Sequence, residues 1–171
     1  YQTVFARQNG SAAAPTASLH FTDNAFKSLD AKHIERLFIT LHVGLGTFAP
    51  VSAKNISEKK LHEEWYEISE EILRCIDTSK QKGMNLIAVG TTVTRTLEAF
   101  AMSNTTNSQY PITKNQFPMS KTDLFIYPPY EFKMVDHLIT NFHLPGSSLM
   151  MLIEAFLRYK KAKRSLIDLY E

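Results

Sequence analysis

Polar side chains at the ends of apolar segments are where this sequence could do chemistry. Three of its six histidines, His20, His42 and His143, lie in such places, within TASLHFT, ITLHVGLG and TNFHLPG. An imidazole titrates near neutral pH, so each is a candidate proton carrier, and three such placements favour one shared site. A hydrogen-bonded core histidine is the competing reading for each. His33, His62 and His137 stand beside helix ends or charged residues and read as surface groups. In LITNFHLPGSS (138–148), Asn141 adds an amide just where the strand begun by Leu138 and Ile139 should end. An amide and an imidazole on the lip of a core can orient a ligand and move a proton.

Two glycine-bearing turns could bind it. VGLGTFA (43–49) has the form G-x-G-x-x-A after a strand, the pattern of a dinucleotide or adenosyl-cofactor loop. That pattern needs a helix starting inside the turn, and Pro50 biases the residue before it away from helical geometry. Gly44 and Gly46 are better read as letting backbone approach a ligand or a neighbouring strand, or as a bend with no ligand. VGTTVTR (89–95) is the stronger binding turn: Thr91 and Thr92 open a helix with free N–H groups at a strand end. Arg95 on the first turn could hold a carboxylate or phosphate, or could pair with Glu98 or another neighbour. RYKKAKR (158–164) carries five basic residues that suit either a solvated helix end or phosphate contacts. No H-e-x-x-h spacing or paired cysteines occur, so no metal site is proposed.

These residues must be positioned by alternating elements. The patterning predicts helices at 22–32, 69–83, from 91 and at 148–156, capped by Thr22, Ser69 and Ser147 or Ser148. It predicts strands at 36–43, 63–68, 85–90 and 123–127, the first and third as apolar runs covered on both faces. The alternation implies an α/β domain with a mainly parallel sheet and flanking helices. Residues 103–121 are polar and aperiodic and read as a long loop. At 171 residues with 44% hydrophobic and 21% charged content, one domain with a real core is expected over 1–171. A net charge of +2 neither points to nor excludes nucleic acid. The single Cys75 fits a reducing cytoplasm, and no apolar run approaches the roughly 20 residues of a membrane span.

Several stretches taken together resemble one family. YQTVFA, AAPTASLHFT, TLHVGLGTF, IAVGTTVTRTLEAF, DLFIYPPYEFKMVDHLITNFHLP and SSLMMLIEAF are similar, in order, to the S-adenosylmethionine:tRNA ribosyltransferase-isomerases of queuosine biosynthesis. Departures occur: Lys59 stands where the family has a histidine, Gly146 where it has lysine, and Pro129 where it has glycine. The family's N-terminal half with its inserted β-barrel is absent, as is its terminal tail, so the chain is expected to be a fragment of a longer enzyme. The resemblance implies S-adenosylmethionine as co-substrate, no metal, and tRNA carrying 7-aminomethyl-7-deazaguanine at the wobble position as partner. It implies a cytoplasmic monomer that forms epoxyqueuosine-tRNA, adenine and methionine. His143, His42 and His20 are then the catalytic candidates, and Gly44, Gly46, Thr91, Thr92, Arg95 and Asn141 the binding ones. An inactive piece that only docks tRNA or a partner is the alternative, and an adenosyl-dependent methyltransferase comes third.

Overall fold

The structure, a computed structural model, describes residues 2–104 and 120–171. Most of the expected 103–121 loop therefore lies outside the described residues. Helix α1 (Asp23–Ala31) begins at Thr22, whose side chain accepts the Ala25 N–H. Strand β1 (Thr40–His42) is followed by a 3-10 turn at Leu45–Phe48, helix α2 (Ala53–Glu58) and strand β2 (Lys60–Glu67). Helix α3 (Glu70–Gln81) is capped by Ser69, and Glu70 and Glu71 occupy its first turn, where the helix dipole favours negative charge. Strand β3 (Ile87–Val89) runs into α4 (Thr91–Asn104); then follow β4 (Ser120–Leu124), β5 (His137–Ile139) and α5 (Ser148–Tyr159). Ser147 caps α5 by accepting the Met150 N–H.

The sheet is not mainly parallel. Among the described residues, β1, β2 and β4 form an antiparallel sheet in the order β1-β2-β4, and only β3 and β5 pair in parallel. The composition of β2 explains the difference. Glu64 and Tyr66 are buried while Glu63 and Trp65 face outward, the one-sided burial that antiparallel strands tolerate and parallel ones rarely do. The parallel pair has α4 in its crossover, as parallel strands require.

The apolar run at 36–43 also pairs less than expected. Only 40–42 join the ladder. Ahead of them, the Phe38 ring packs at a tilt on Phe5 at 4.9 Å, and Arg36 pairs with Asp30 and lies over the Phe26 ring at 4.8 Å. Side-chain packing against α1 and the N-terminal segment thus replaces a second strand neighbour. Similarly, β3 is not covered on both faces, since Ile87 is 49% exposed.

The core forms where α3, α4 and α5 meet the parallel pair: Ile76, Ala88, Leu97, Leu152 and Ala155, with Ile126, Phe132 and Val135 from the segment after β4. Glu98 on α4 is fully buried there. Its carboxylate accepts the N–H groups of Lys133, Met134 and Val135 at 2.8, 2.9 and 3.0 Å and the Tyr130 hydroxyl at 3.3 Å. A charge in a core is tolerable only when its lone pairs are filled in this way. The bonds set the approach of the chain to β5. Asp136 then aligns the parallel pair, accepting the Leu86 N–H at 2.7 Å while Lys80 of α3 lies 2.9 Å away.

Candidate active site

The carboxyl ends of β3 and β5 lie side by side. Val89 is in register with Ile139, and the Gly90 N–H continues the pairing by donating to the Ile139 carbonyl at 2.8 Å. Gly90, at φ +103°, turns the chain into α4 in a conformation that L side chains rarely adopt. This places the start of α4, at Thr91 and Thr92, beside the point where Thr140 leads the chain out of β5. Two of the expected features, the threonine turn and the NFH segment, therefore come together at one sheet end.

His143 is half-buried, and its Nε2 lies 3.1 Å from the Thr140 hydroxyl. Thr140 Oγ1 also donates to the Asn141 carbonyl at 3.4 Å. The Thr140 hydroxyl thus holds the ring at Nε2, with the tautomer setting which of the two donates. Burial lowers the His143 pKa below its ordinary 6.5, which keeps the imidazole neutral at pH 7. Beside it, Phe142 and Leu144 are 74% and 80% exposed, apolar groups at the rim of the same segment.

The other two histidines have different surroundings. His42 is half-buried on β1 with its ring against Gly10, where a Cβ would stand 2.7 Å from Nδ1. His20 ends a 3-10 turn at Thr16–His20 and is exposed. No hydrogen bond joins any two of the three among the described residues. Nor is any group of three or more His, Cys, Asp or Glu placed to hold a metal among them.

The two glycines of the 43–46 turn behave differently. A Cβ on Gly46 would come within 2.5 Å of the His62 ring on β2, so Gly46 allows close approach to a neighbouring strand. A Cβ on Gly44 would meet nothing within 4 Å. Leu45–Phe48 form a short 3-10 turn with Ala49 extended before Pro50, so the helix that a dinucleotide loop needs is not there.

Arg95 is not a surface group, and its partner is not Glu98. Its guanidinium forms an ion pair with Glu64 of β2, with side chains 5% and 1% exposed. Burial brings the Arg95 pKa down to about 10, still fully charged at neutral pH. The other Glu64 oxygen accepts the Gly44 N–H at 3.2 Å. Arg95 also borders a cavity of about 10 Å³ with Gly46, Asn55, His62 and Ser148. That is room for one water and not for a nucleoside.

Glu64, Thr140 and Tyr170 contact the candidate residues without being expected from the sequence. Glu64 had a signal: it is two residues from Tyr66, so strand alternation puts both on the buried face. Tyr170, which bonds the His143 backbone from 27 residues away, had none.

A mixed α/β protein with polar groups gathered at the carboxyl end of a parallel pair is what the fold and site define, the usual ligand side of such sheets. Residues 1–168 match the family described as queuosine biosynthesis protein, and the chain belongs to that family. Among its relatives, the S-adenosylmethionine:tRNA ribosyltransferase-isomerase of Halothermothrix orenii is 50% identical over 91% of this chain. The protein of the same name from Finegoldia magna is 49% identical over 100% of it. The chain spans 43% and 46% of those relatives' lengths, less than half of each. A crystal structure of S-adenosylmethionine tRNA ribosyltransferase from Thermotoga maritima is similar with a TM-score of 0.59 and 36% identity, covering 84% of this chain and 42% of that one.

Proposed function

We propose that this chain is part of an enzyme that transfers and isomerises the ribosyl moiety of S-adenosylmethionine onto 7-aminomethyl-7-deazaguanine in tRNA. The products are epoxyqueuosine-tRNA, adenine and methionine. The observation that carries this reading is the family match over residues 1–168, joined by relatives of that name at 49–50% identity.

The site geometry suits the chemistry. A sulfonium acidifies the adjacent 5′ C–H, so the reaction needs a positioned base that is unprotonated at neutral pH. His143 meets that need, with Thr140 holding its ring at Nε2. Asn141 and the N–H groups at Thr91 and Thr92 are donors for charge that develops on the ribose and adenine. The Gly44–Gly46 turn supplies backbone toward the adenosyl group, and Arg95 supports it from behind instead of meeting an anion directly. The substrate's own amine attacks, so no protein nucleophile is required. His42 and His20 remain the further catalytic candidates. RYKKAKR offers a basic surface for the phosphates.

A second reading is a module that binds tRNA or a partner without turnover. Incubation with S-adenosylmethionine and tRNA bearing the 7-aminomethyl base separates the possibilities. Adenine and epoxyqueuosine are the expected products. S-adenosylhomocysteine would indicate methyl transfer, and binding without any product from the full-length protein would leave only the module.

A further inference from the structure

The glycine turn after β1 and the first turn of α4 follow strands of different sheets, and Glu64 contacts both. One of its oxygens accepts the Gly44 N–H at 3.2 Å, and the other faces the Arg95 guanidinium. On either side of Gly44 the turn has further contacts. The Val43 N–H donates to Ser11 Oγ at 3.1 Å, and its carbonyl accepts the Ala12 N–H at 2.8 Å. Gly46 rests against the exposed His62 ring. A buried ion pair is a poor way to gain stability, because an apolar pair of similar volume generally serves as well. An apolar pair cannot accept the N–H of an exposed glycine.

We infer that Glu64, with its charge balanced by Arg95, is a positioning residue that holds the Gly44 turn in register with the start of α4, and thereby sets the affinity for the adenosyl ligand. This deepens the ribosyl-transfer reading above and rests on it. Glu64 touches no ligand in this role. It acts through the peptide of Gly44, and Arg95 acts through Glu64. Shifting the turn relative to Thr91 and Thr92 requires breaking either the hydrogen bond or the ion pair.

Two double variants of the full-length protein isolate the hydrogen bond, since both remove the two charges. Glu64→Gln with Arg95→Met keeps an oxygen for the Gly44 N–H; Glu64→Leu with Arg95→Met does not. Amide hydrogen exchange at Gly44 and calorimetric affinity for S-adenosylmethionine are measured on both. The expected result is near-native exchange and affinity in the first variant. In the second, exchange at Gly44 should be at least fivefold faster and the Kd at least tenfold higher, at similar melting temperatures. Equal exchange at Gly44 in the two, or equal affinity, would overturn the inference. A wild-type protein that binds no S-adenosylmethionine would instead overturn the ribosyl-transfer reading, with the exchange comparison still deciding whether Glu64 holds the turn.

Discussion

Tyr170 brackets the peptide of His143: its hydroxyl accepts the His143 N–H at 2.7 Å and donates to the His143 carbonyl at 3.2 Å. The Tyr170 ring also meets Phe142 edge-on at 4.9 Å. The backbone of the candidate base is thus held by a residue near the chain's last position, and its ring by Thr140.

Tyr170→Phe keeps the ring contact and removes both hydrogen bonds. In so exposed a place, a loss of about 1 kcal/mol is expected. Urea denaturation measures that loss, and hydrogen exchange at the His143 amide should accelerate with it. Unchanged exchange at His143 would mean that the bracket does not hold this segment in solution.

His143→Ala in the full-length protein is expected to slow adenine release by about a hundredfold, the scale for loss of a general base. The fold should survive, because His143 is only half-buried. Burial depresses its pKa, so the folded state resists protonation more than the unfolded one. Below pH 6.5 the unfolded chain binds more protons, and His143 therefore subtracts stability as the pH falls from 6.5 through its lower folded value. The rate should fall across the same acid window and stay level above it. A pH–rate profile unaltered in His143→Ala would remove the residue from catalysis.

Arg95→Met alone leaves the Glu64 carboxylate buried without its cation. About 3–5 kcal/mol of stability should be lost. Adding Glu64→Gln should restore most of it, and thermal unfolding of the single and double variants tests this directly. A single variant as stable as wild type would show that the pair opens to solvent.

Glu98→Ala removes the acceptor for three consecutive backbone N–H groups and the Tyr130 hydroxyl. A loss of at least about 3 kcal/mol is expected, since these donors would lie unsatisfied beside the core. Glu98→Gln, with one oxygen left, should cost roughly half as much. Equal losses in the two variants would mean that only the side-chain volume matters.

Burial pushes the Asp136 carboxyl up, but the Leu86 N–H and Lys80 outweigh it and hold the group below its ordinary 3.8. Its contribution is therefore present above pH 3.8 and lost as the pH falls through the lower folded value. Asp136→Asn should flatten stability against pH in that acid window while leaving the slope above pH 5 unchanged. Acid titrations of wild type and variant, followed by circular dichroism, make the comparison.

The elements most legible in the sequence were those with local causes. Ser69, Thr22 and Ser147 cap helices because each sits directly before an amphipathic run, and the caps form where that chemistry puts them. The Gly90 turn and the Asn141–His143 segment were legible because both mark the end of a strand. Strand direction was not legible, since an apolar run such as RLFITLHV is compatible with packing on aromatic side chains as well as with ladder pairing. The partner of Arg95 was hidden for a related reason. Its partner lies 31 positions earlier on another element, and helical spacing offered the nearer Glu98, which the chain instead uses to gather its own backbone amides.

The joint between Glu64 and Arg95 also has an evolutionary reading. A lineage that loses either charge alone incurs the full penalty of the other, so the two positions should drift together or not at all. Because position 64 also serves Gly44, the permitted escapes are narrower than for an ordinary ion pair. Where Arg95 gives way to an apolar residue, position 64 should retain an oxygen, as glutamine, and not turn aliphatic. In an alignment of relatives that asymmetry would distinguish a joint that holds a turn from a charge pair that merely fills a core.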